Sequence, residues 1–321
     1  MGRSTISAES EITQGTVVVV GSLNIDLVIG LERMPNSGET VLGDSLVRLA
    51  GGKGLNQAVA AARMEAPVRM IGCVGTDGSG DWLHGILAEE GIDASGVGSV
   101  EGTSGTALIE VEPNGANRIV VVPGANAALT AEAVEVALRA VENPAVVLTQ
   151  AEIPLEAISA ALTTAKALGA TTILNPAPAR EFPAEILALV DYLVPNEHEA
   201  EHMCGIGCGN MVDSVEAAGT FIDKGVGCAV ITRGDRGAVW ANANSSGQVQ
   251  AFRVNTVDTV AAGDAFCGGL AAALARGETL AEALRWASGC GALATTVTGA
   301  VPSLPTRAAV AELIGEPDSA R

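Results

Sequence analysis

Val257-Asp258-Thr259-Val260-Ala261-Ala262-Gly263-Asp264-Ala265-Phe266-Cys267-Gly268-Gly269-Leu270 sets a lone carboxylate behind a run of very small residues, at the point where a helical pattern begins. With side chains no larger than those of Ala261, Ala262 and Gly263, backbone N–H groups can close around an anion, and the positive end of the following helix adds to their field. Such a turn suits a phosphoryl group in transfer. Phosphate repels a carboxylate, so Asp264 is read as facing the other reactant and accepting the proton of an attacking hydroxyl. The same segment also reads as an N-capping Asp after a flexible turn.

A second Gly-rich turn runs into a helix at Gly51-Gly52-Lys53-Gly54-Leu55-Asn56-Gln57, continued by Ala58-Val59-Ala60-Ala61-Ala62-Arg63. It is neither Gly-x-x-x-x-Gly-Lys-Ser/Thr nor Gly-x-Gly-x-x-Gly. It offers close backbone approach with an ammonium and a carboxamide, which suits a polyhydroxylated ligand better than a pyrophosphate. The other reading is a Gly-rich helix start with a solvated lysine.

Outward from these turns, short β-branched runs alternate with Ala- and Leu-rich helical stretches. Residues 17–20, 146–148, 172–174, 192–194 and 229–232 read as buried strands, and 131–141, 155–168, 214–224 and 280–296 as helices. This alternation predicts an α/β fold: a mainly parallel sheet covered by helices on both faces, with ligands at the carboxyl ends of the strands. A dinucleotide-binding dehydrogenase would share that architecture, but Gly21-Ser22-Leu23-Asn24 stands where its fingerprint belongs. Residues 27–48 and 103–122 instead alternate apolar and polar positions around turn signals at Pro35-Asn36-Ser37-Gly38 and Pro113-Asn114-Gly115, and predict antiparallel strands.

The length of 321 residues, 48% hydrophobic, is enough for one large domain with a small addition. The domain is expected over 16–310, with a disordered N-terminal tail at 1–15 and a C-terminal tail at 311–321. No apolar run approaches the roughly 20 residues that span a bilayer, and the polar, acidic start is no signal peptide. The expectation is a cytoplasmic protein with no membrane partner. A net charge of -19 argues against nucleic acid. Any phosphate ligand must then be neutralised locally by backbone amides, a divalent metal and a few cationic side chains. The six scattered cysteines read as reduced thiols. His198, His202, Cys204 and Cys208 crowd together at a spacing that zinc sites use, but Gly205 and Gly207 break the helix before Cys208.

Together the two Gly-rich turns, with Gly21-Ser22-Leu23-Asn24-Ile25-Asp26, Pro35 to Thr40, Gly124-Ala125-Asn126-Ala127-Ala128-Leu129, Asn175-Pro176-Ala177-Pro178-Ala179-Arg180 and Pro195-Asn196-Glu197-His198-Glu199, resemble the ribokinase-like (PfkB) family of carbohydrate kinases. The likeness runs from about Val17 to about Pro305. It is stronger to the ribokinase branch than to the fructokinase, adenosine kinase or phosphofructokinase branches. The resemblance implies that 27–48 and 103–122 form a small β-lid over the sugar, often paired with its counterpart in a homodimer.

The resemblance also implies site residues. Asn24, Asp26, Gly52, Lys53, Asn56 and Glu152 would hold the sugar, with Asp264 as general base beside an anion hole of Ala261, Ala262 and Gly263. Asn196, Thr232, Gly234, Gly237, Gly263 and Ser288 would contact ATP, although relatives often carry His or Asn where Ser288 stands. Glu199 would order the hydration shell of Mg2+. Asp258, Val260, Ala294, Val297, Gly299 and Ser303 would hold an activating K+. Ala265 and Cys267 depart from the Thr and Asn of many relatives, and Cys267 is a possible point of oxidation or alkylation. The implied reaction is ATP-dependent phosphorylation of D-ribose at O5. The alternatives are a kinase for another pentose such as 2-deoxyribose or for a nucleoside, and a non-catalytic sugar-binding regulator.

Overall fold

A computed structural model of the chain describes residues 15–113 and 116–315. The expected N-terminal tail up to 14, the Asn114-Gly115 turn and residues 316–321 lie outside the described residues.

The chain opens with β1 (Thr16–Val20), β2 (Asn24–Leu31), β3 (Gly43–Gly51) and helix α1 (Lys53–Arg63), followed by β4 (Val68–Gly75), α2 (Gly78–Glu89) and β5 (Asp93–Val100). Next come β6 (Gly105–Val111), β7 (Asn117–Val122), α3 (Ala131–Arg139), β8 (Pro144–Gln150), α4 (Leu155–Ala167) and β9 (Thr171–Asn175). The remainder is α5 (Ala184–Leu187), β10 (Tyr192–Leu193), α6 (Glu197–Cys204), α7 (Met211–Asp223), β11 (Cys228–Thr232), β12 (Ala238–Asn242), β13 (Ser246–Val249), α8 (Ala262–Ala275), α9 (Leu280–Ala294) and α10 (Arg307–Ile314). The last helix runs past the expected domain end at 310, because Val310, Ala311 and Ile314 are buried.

Among the described residues, nine strands form the large sheet in the order β13-β12-β11-β10-β9-β8-β1-β4-β5. From β11 to β5 every pairing is parallel, and β12 and β13 continue it antiparallel. The interior strand β1 explains the hydrophobic run Val17–Val20: both faces are covered, so all four valines are fully buried. Val17 and Val19 face one core with α1 and α8, whereas Val18 and Val20 face a second core with α3, α4 and α7. Helices therefore cover both faces, and the carboxyl ends of β1, β8 and β9 open toward the second sheet.

That second sheet has the order β3-β2-β6-β7. β2 and β3 pair antiparallel, as do β6 and β7, but the middle pair β2 and β6 is parallel. The expectation of antiparallel strands was thus right for each hairpin and wrong for their junction. The two hairpins are separated by α1, β4, α2 and β5, so the chain enters the second from the same end as the first. The strands also extend beyond 27–48 to Asn24 and Gly51, which places Asn24 and Asp26 within β2. Residues opposite each other in register share a face: Asp26 lies with Leu49, Ala107 and Val121, and the other face carries Leu27, Leu108, Val120, Val122 and Leu46. Among the described residues no helix is long and apolar enough to cross a membrane.

Candidate active site

The turn before α8 is built as its composition predicted, with one correction. Asp264 is the third residue of the helix, and the N-cap is Ala261 in left-handed backbone (φ 59°). A non-glycine residue there is uncommon, and among the described residues only Glu65 and Asn143 share it. The first i→i−4 bond of the helix comes from Ala265 N to Ala261 O at 2.8 Å. The amides of Gly263 and Asp264 are left ahead of it, free for an anion. A Cβ placed on Gly263 would meet no atom within 4 Å, so there is room beside that turn.

Asp264 is buried, and both of its oxygens accept from amide side chains of α1: Oδ2 from Asn56 Nδ2 and Oδ1 from Gln57 Nε2, each at 2.9 Å. Helix α1 starts at Gly52, whose φ of 91° and approach to the backbone of Ser22, Leu23 and Asn24 exclude any side chain. Lys53 is not a solvated lysine. Burial works to lower its pKa, but the carboxylates of Asp264, Glu152 and Glu199 overcome this and hold it above the ordinary lysine value. Glu152 Oε2 accepts from Ser22 Oγ (2.6 Å) and from the backbone N of Lys53 (3.1 Å), which fixes it at the end of β8.

Asp26 reaches the same space from β2. Burial, reinforced by Glu152 and Asp264, pushes its pKa up to about 6. A Cβ on Gly51 would overlap the Asp26 carboxylate, so that glycine makes room for it. Asn24 is held by Asn126, whose Nδ2 donates to Asn24 Oδ1 (2.7 Å) while its Oδ1 accepts from Leu23 N (2.9 Å). The buried Asn56 Oδ1 has no partner, leaving an acceptor for a hydroxyl. Asn24, Asp26, Gly52, Lys53, Asn56, Glu152 and Asp264 therefore gather at one opening between the sheets. A cavity of about 370 Å³ adjoins it, lined by Asn24, Glu152, Asn126, Val121, Pro123 and Pro178 among others.

On the other side of the α8 turn, Asn196 and Glu199 form a capping box on α6. Glu199 N donates to Asn196 Oδ1 and Asn196 N to Glu199 Oε2, both at 2.8 Å. Burial raises the pKa of Glu199 against the opposing Asn196 amide and Lys53. Its Oε1 takes no donor among the described residues, so this donor set fits a hydrated divalent metal bound through water. Asn196 bridges to Thr232, and Gly234 (φ 56°) and Gly237 (φ 80°) shape the following turn. Arg233, which is buried, and Arg236, which is exposed, both turn to Glu197. Ser288 Oγ is buried without a partner on α9, and no hydrogen bond links it to the other nucleotide-side residues.

The Asp258 carboxylate accepts from Val260 N (3.0 Å) and Gly299 N (2.9 Å), drawing two loops together beside the α8 turn. Ala294 ends α9, and Ser303 is buried with its hydroxyl donated to Ala300 O. Val260 and Val297 stay exposed, so only their backbones suit a cation. These oxygens, a carboxylate and loop carbonyls, are of the type that takes a large, weakly hydrated cation.

Among the described residues no three His, Cys, Asp or Glu side chains gather as metal ligands would, and Cys204 and Cys208 both turn their thiols toward Ile206 O. All six cysteines are free. The expected sensitivity of Cys267 is overturned: it is buried, and burial with Asp264 and Glu199 nearby pushes its thiol pKa well above the usual value. Sequence reasoning missed Ser22, Asn126 and Gln57 as supports of the site. A polar residue within an otherwise apolar helix face was the available signal for Gln57, since a buried amide needs partners.

The profile of the pfkB family carbohydrate kinases matches residues 14–307. The chain is 37% identical to the ribokinase of Haemophilus influenzae over 300 residues, 93% of this chain and 98% of that one. It is 35% identical to the deoxyribokinase of Salmonella typhi over 292 residues, 90% and 95% of the two chains. The structure of Arabidopsis thaliana ribokinase complexed with ribose and ATP is similar at a TM-score of 0.86 and 30% identity, covering 94% of this chain and 98% of that one.

Proposed function

The chain belongs to the pfkB family of carbohydrate kinases, and we propose that it transfers the γ-phosphoryl group of ATP to O5 of D-ribose, giving D-ribose 5-phosphate. The observation that carries this reading is Asp264, set at the amide-rich start of α8 and hydrogen-bonded to Asn56 from the sugar side. A hydroxyl held between them meets both a proton acceptor and the place where an anion is stabilised. Asn24, Asp26, Asn56 and Glu152 present carboxylates and carboxamides to vicinal hydroxyls, with Gly52 and Lys53 closing another side. The sugar is thereby aligned for in-line attack. Asp264 takes the O5 proton as the bond to phosphorus forms and the bond from the γ-phosphorus to the bridging oxygen of ADP breaks, so that ADP leaves. The free amides of Gly263 and Asp264, with Lys53, stabilise the charge that develops on the transferring group, whereas the Ala262 amide is already given to Thr259 O.

Asn196, Thr232, Gly234, Gly237 and Ser288 hold the nucleotide in this reading. Magnesium, bound through water by Glu199, supplies neutralisation of the phosphate charge. Asp258 with the backbones of Val260, Ala294, Val297 and Gly299, and Ser303, holds a potassium ion that firms the α8 turn. The outward face of the lid carries Leu46, Val120 and Val122, all more than half exposed, and a homodimer through this face would cover them. Free thiols and dependence on ATP fit the cytoplasm.

A second reading, 2-deoxyribose as the sugar, draws on the similarity to the Salmonella typhi deoxyribokinase. The test of the central assignment is Asp264→Asn. Turnover should fall about 100- to 10,000-fold, with ribose and nucleotide binding retained in calorimetry. Near-normal turnover would overturn the role of Asp264.

A further inference from the structure

Gln57 is fully buried, so it touches neither sugar nor nucleotide, yet every polar atom of its side chain is engaged around Asp264. Its Nε2 donates to Asp264 Oδ1 (2.9 Å) and to Asn175 Oδ1 (3.1 Å), and its Oε1 accepts from Gln150 Nε2 (2.7 Å). Asn175 in turn spends its own amide nitrogen on Val194 O at 2.8 Å. The orientation of the Gln57 amide follows from this chain. A carboxylate only accepts, and Asn175, with its nitrogen committed, presents its oxygen, so Gln57 must turn its NH2 toward both and its carbonyl toward Gln150. The network draws on the ends of β8 and β9, the segment after β10, and helices α1 and α8.

The approach of α1 to α8 that permits this contact is itself built in. A Cβ on Gly268 would lie 2.7 Å from Gln57 O and 2.5 Å from Ala60 Cβ, so only glycine at 268 lets the two helices come this close. The arrangement is kept although the buried Gln150 Oε1 is left without a partner. We infer that Gln57 is a positioning residue for phosphoryl transfer: it locks the rotation of the Asp264 carboxylate by holding Oδ1, so that Oδ2 stays turned to the sugar side. This rests on the reading of Asp264 as the general base. Asn56 lies on the sugar side with its Oδ1 unpartnered, whereas Gln57 is fully buried and holds Asp264 Oδ1.

The charged and titratable groups facing Asp264 are Lys53 of α1, Asp26 of β2, Glu152 after β8, Glu199 of α6 and Cys267 of α8 itself. All remain when Gln57 is changed. Loss of a donor to a carboxylate favours its protonated form, so the acid limb of the kcat/KM profile should move to higher pH.

The experiment compares wild type, Gln57→Leu and Gln57→Glu in ribose phosphorylation from pH 5 to 9, with ribose binding measured separately by calorimetry. In Gln57→Leu, kcat should fall about 10- to 100-fold, ribose affinity should stay within about threefold, and the acid limb should move to higher pH. In Gln57→Glu the limb should rise further, because two carboxylates would then share a proton. A packing role alone would lower thermal stability and turnover without moving the limb, and that result would overturn the inference. If neither variant folds, Gln57→Met, which keeps the volume and lacks the donor, takes their place, and an unmoved acid limb there overturns it equally. If Asp264→Asn is inactive while the Gln57 variants keep the wild-type profile, the positioning role falls and the base assignment stands. If Asp264→Asn is active, the base assignment falls and the positioning role falls with it.

Discussion

Replacing Asp26 by Asn should make the unliganded protein more stable above neutral pH while damaging its sugar site. Burial and the neighbouring Glu152 and Asp264 raise the pKa of Asp26 from 3.8 to about 6. The folded state therefore binds this proton more tightly than the unfolded chain does. That stabilisation is fully present below the unfolded value of 3.8 and is lost as pH rises through about 6. A shift of about two units, at 1.36 kcal/mol each, sets a ceiling of about 3 kcal/mol on the cost of carrying the ionised carboxylate at pH 8. At pH 4.5 the same linkage leaves a cost of about 1 kcal/mol, so the gain from Asp26→Asn should grow by about 2 kcal/mol between the two conditions. With an unfolding entropy of about 2.1 cal/mol/K per residue over about 300 residues, each kcal/mol moves Tm by about 1.6 °C. Scanning calorimetry of both proteins at pH 4.5 and pH 8 should thus show the difference in Tm widening by about 3 °C in favour of the variant. A difference that does not change with pH, or that turns against the variant at pH 8, would refute the assignment of a strained carboxylate at this position.

Other outcomes follow from the same geometry. If Asn24 and Asp26 read adjacent hydroxyls, 2-deoxyribose leaves a buried group unpaired at a cost of roughly 1–3 kcal/mol, so ribose should lead in kcat/KM by about 5- to 150-fold; comparable kinetics with 2-deoxyribose would favour that sugar instead. Potassium should raise the rate at constant ionic strength and sodium should do so poorly, and equal rates in both would remove Asp258 and its loops from a cation role. Leu46→Glu, placed on the outward face of the lid, should shift the protein toward monomer in sedimentation velocity, whereas an unchanged dimer would move the interface elsewhere.

Much of this molecule was legible before folding because two kinds of signal are local. The β-branched runs such as Val17–Val20 report strands buried on both faces, and the tiny residues before Asp264 report a backbone that must come close to something. Hydrogen-bond register between distant segments carries no such mark, so nothing local in the sequence announces the parallel junction of β2 with β6. The exact footing of Asp264 is hidden for a related reason: an Asp near a helix start reads as a cap, and only the backbone of Ala261 shows that the cap comes earlier. Asn126, Ser22 and Gln57 act on the site through contacts to residues about 100, 130 and 207 positions away. Their side chains are ordinary polar types in the sequence, and only the fold reveals what they touch.

The proposed reaction moves phosphate from ATP to the primary hydroxyl of ribose. It is tested most directly by incubating the purified protein with ATP, magnesium, potassium and D-ribose, and locating the new phosphate by phosphorus–proton correlation NMR. Stoichiometric ADP and a phosphate coupled to the C5 protons of ribose are expected, with both formed about 100- to 10,000-fold more slowly by Asp264→Asn. Phosphate on another carbon, or turnover confined to nucleosides with ribose left untouched, would contradict it.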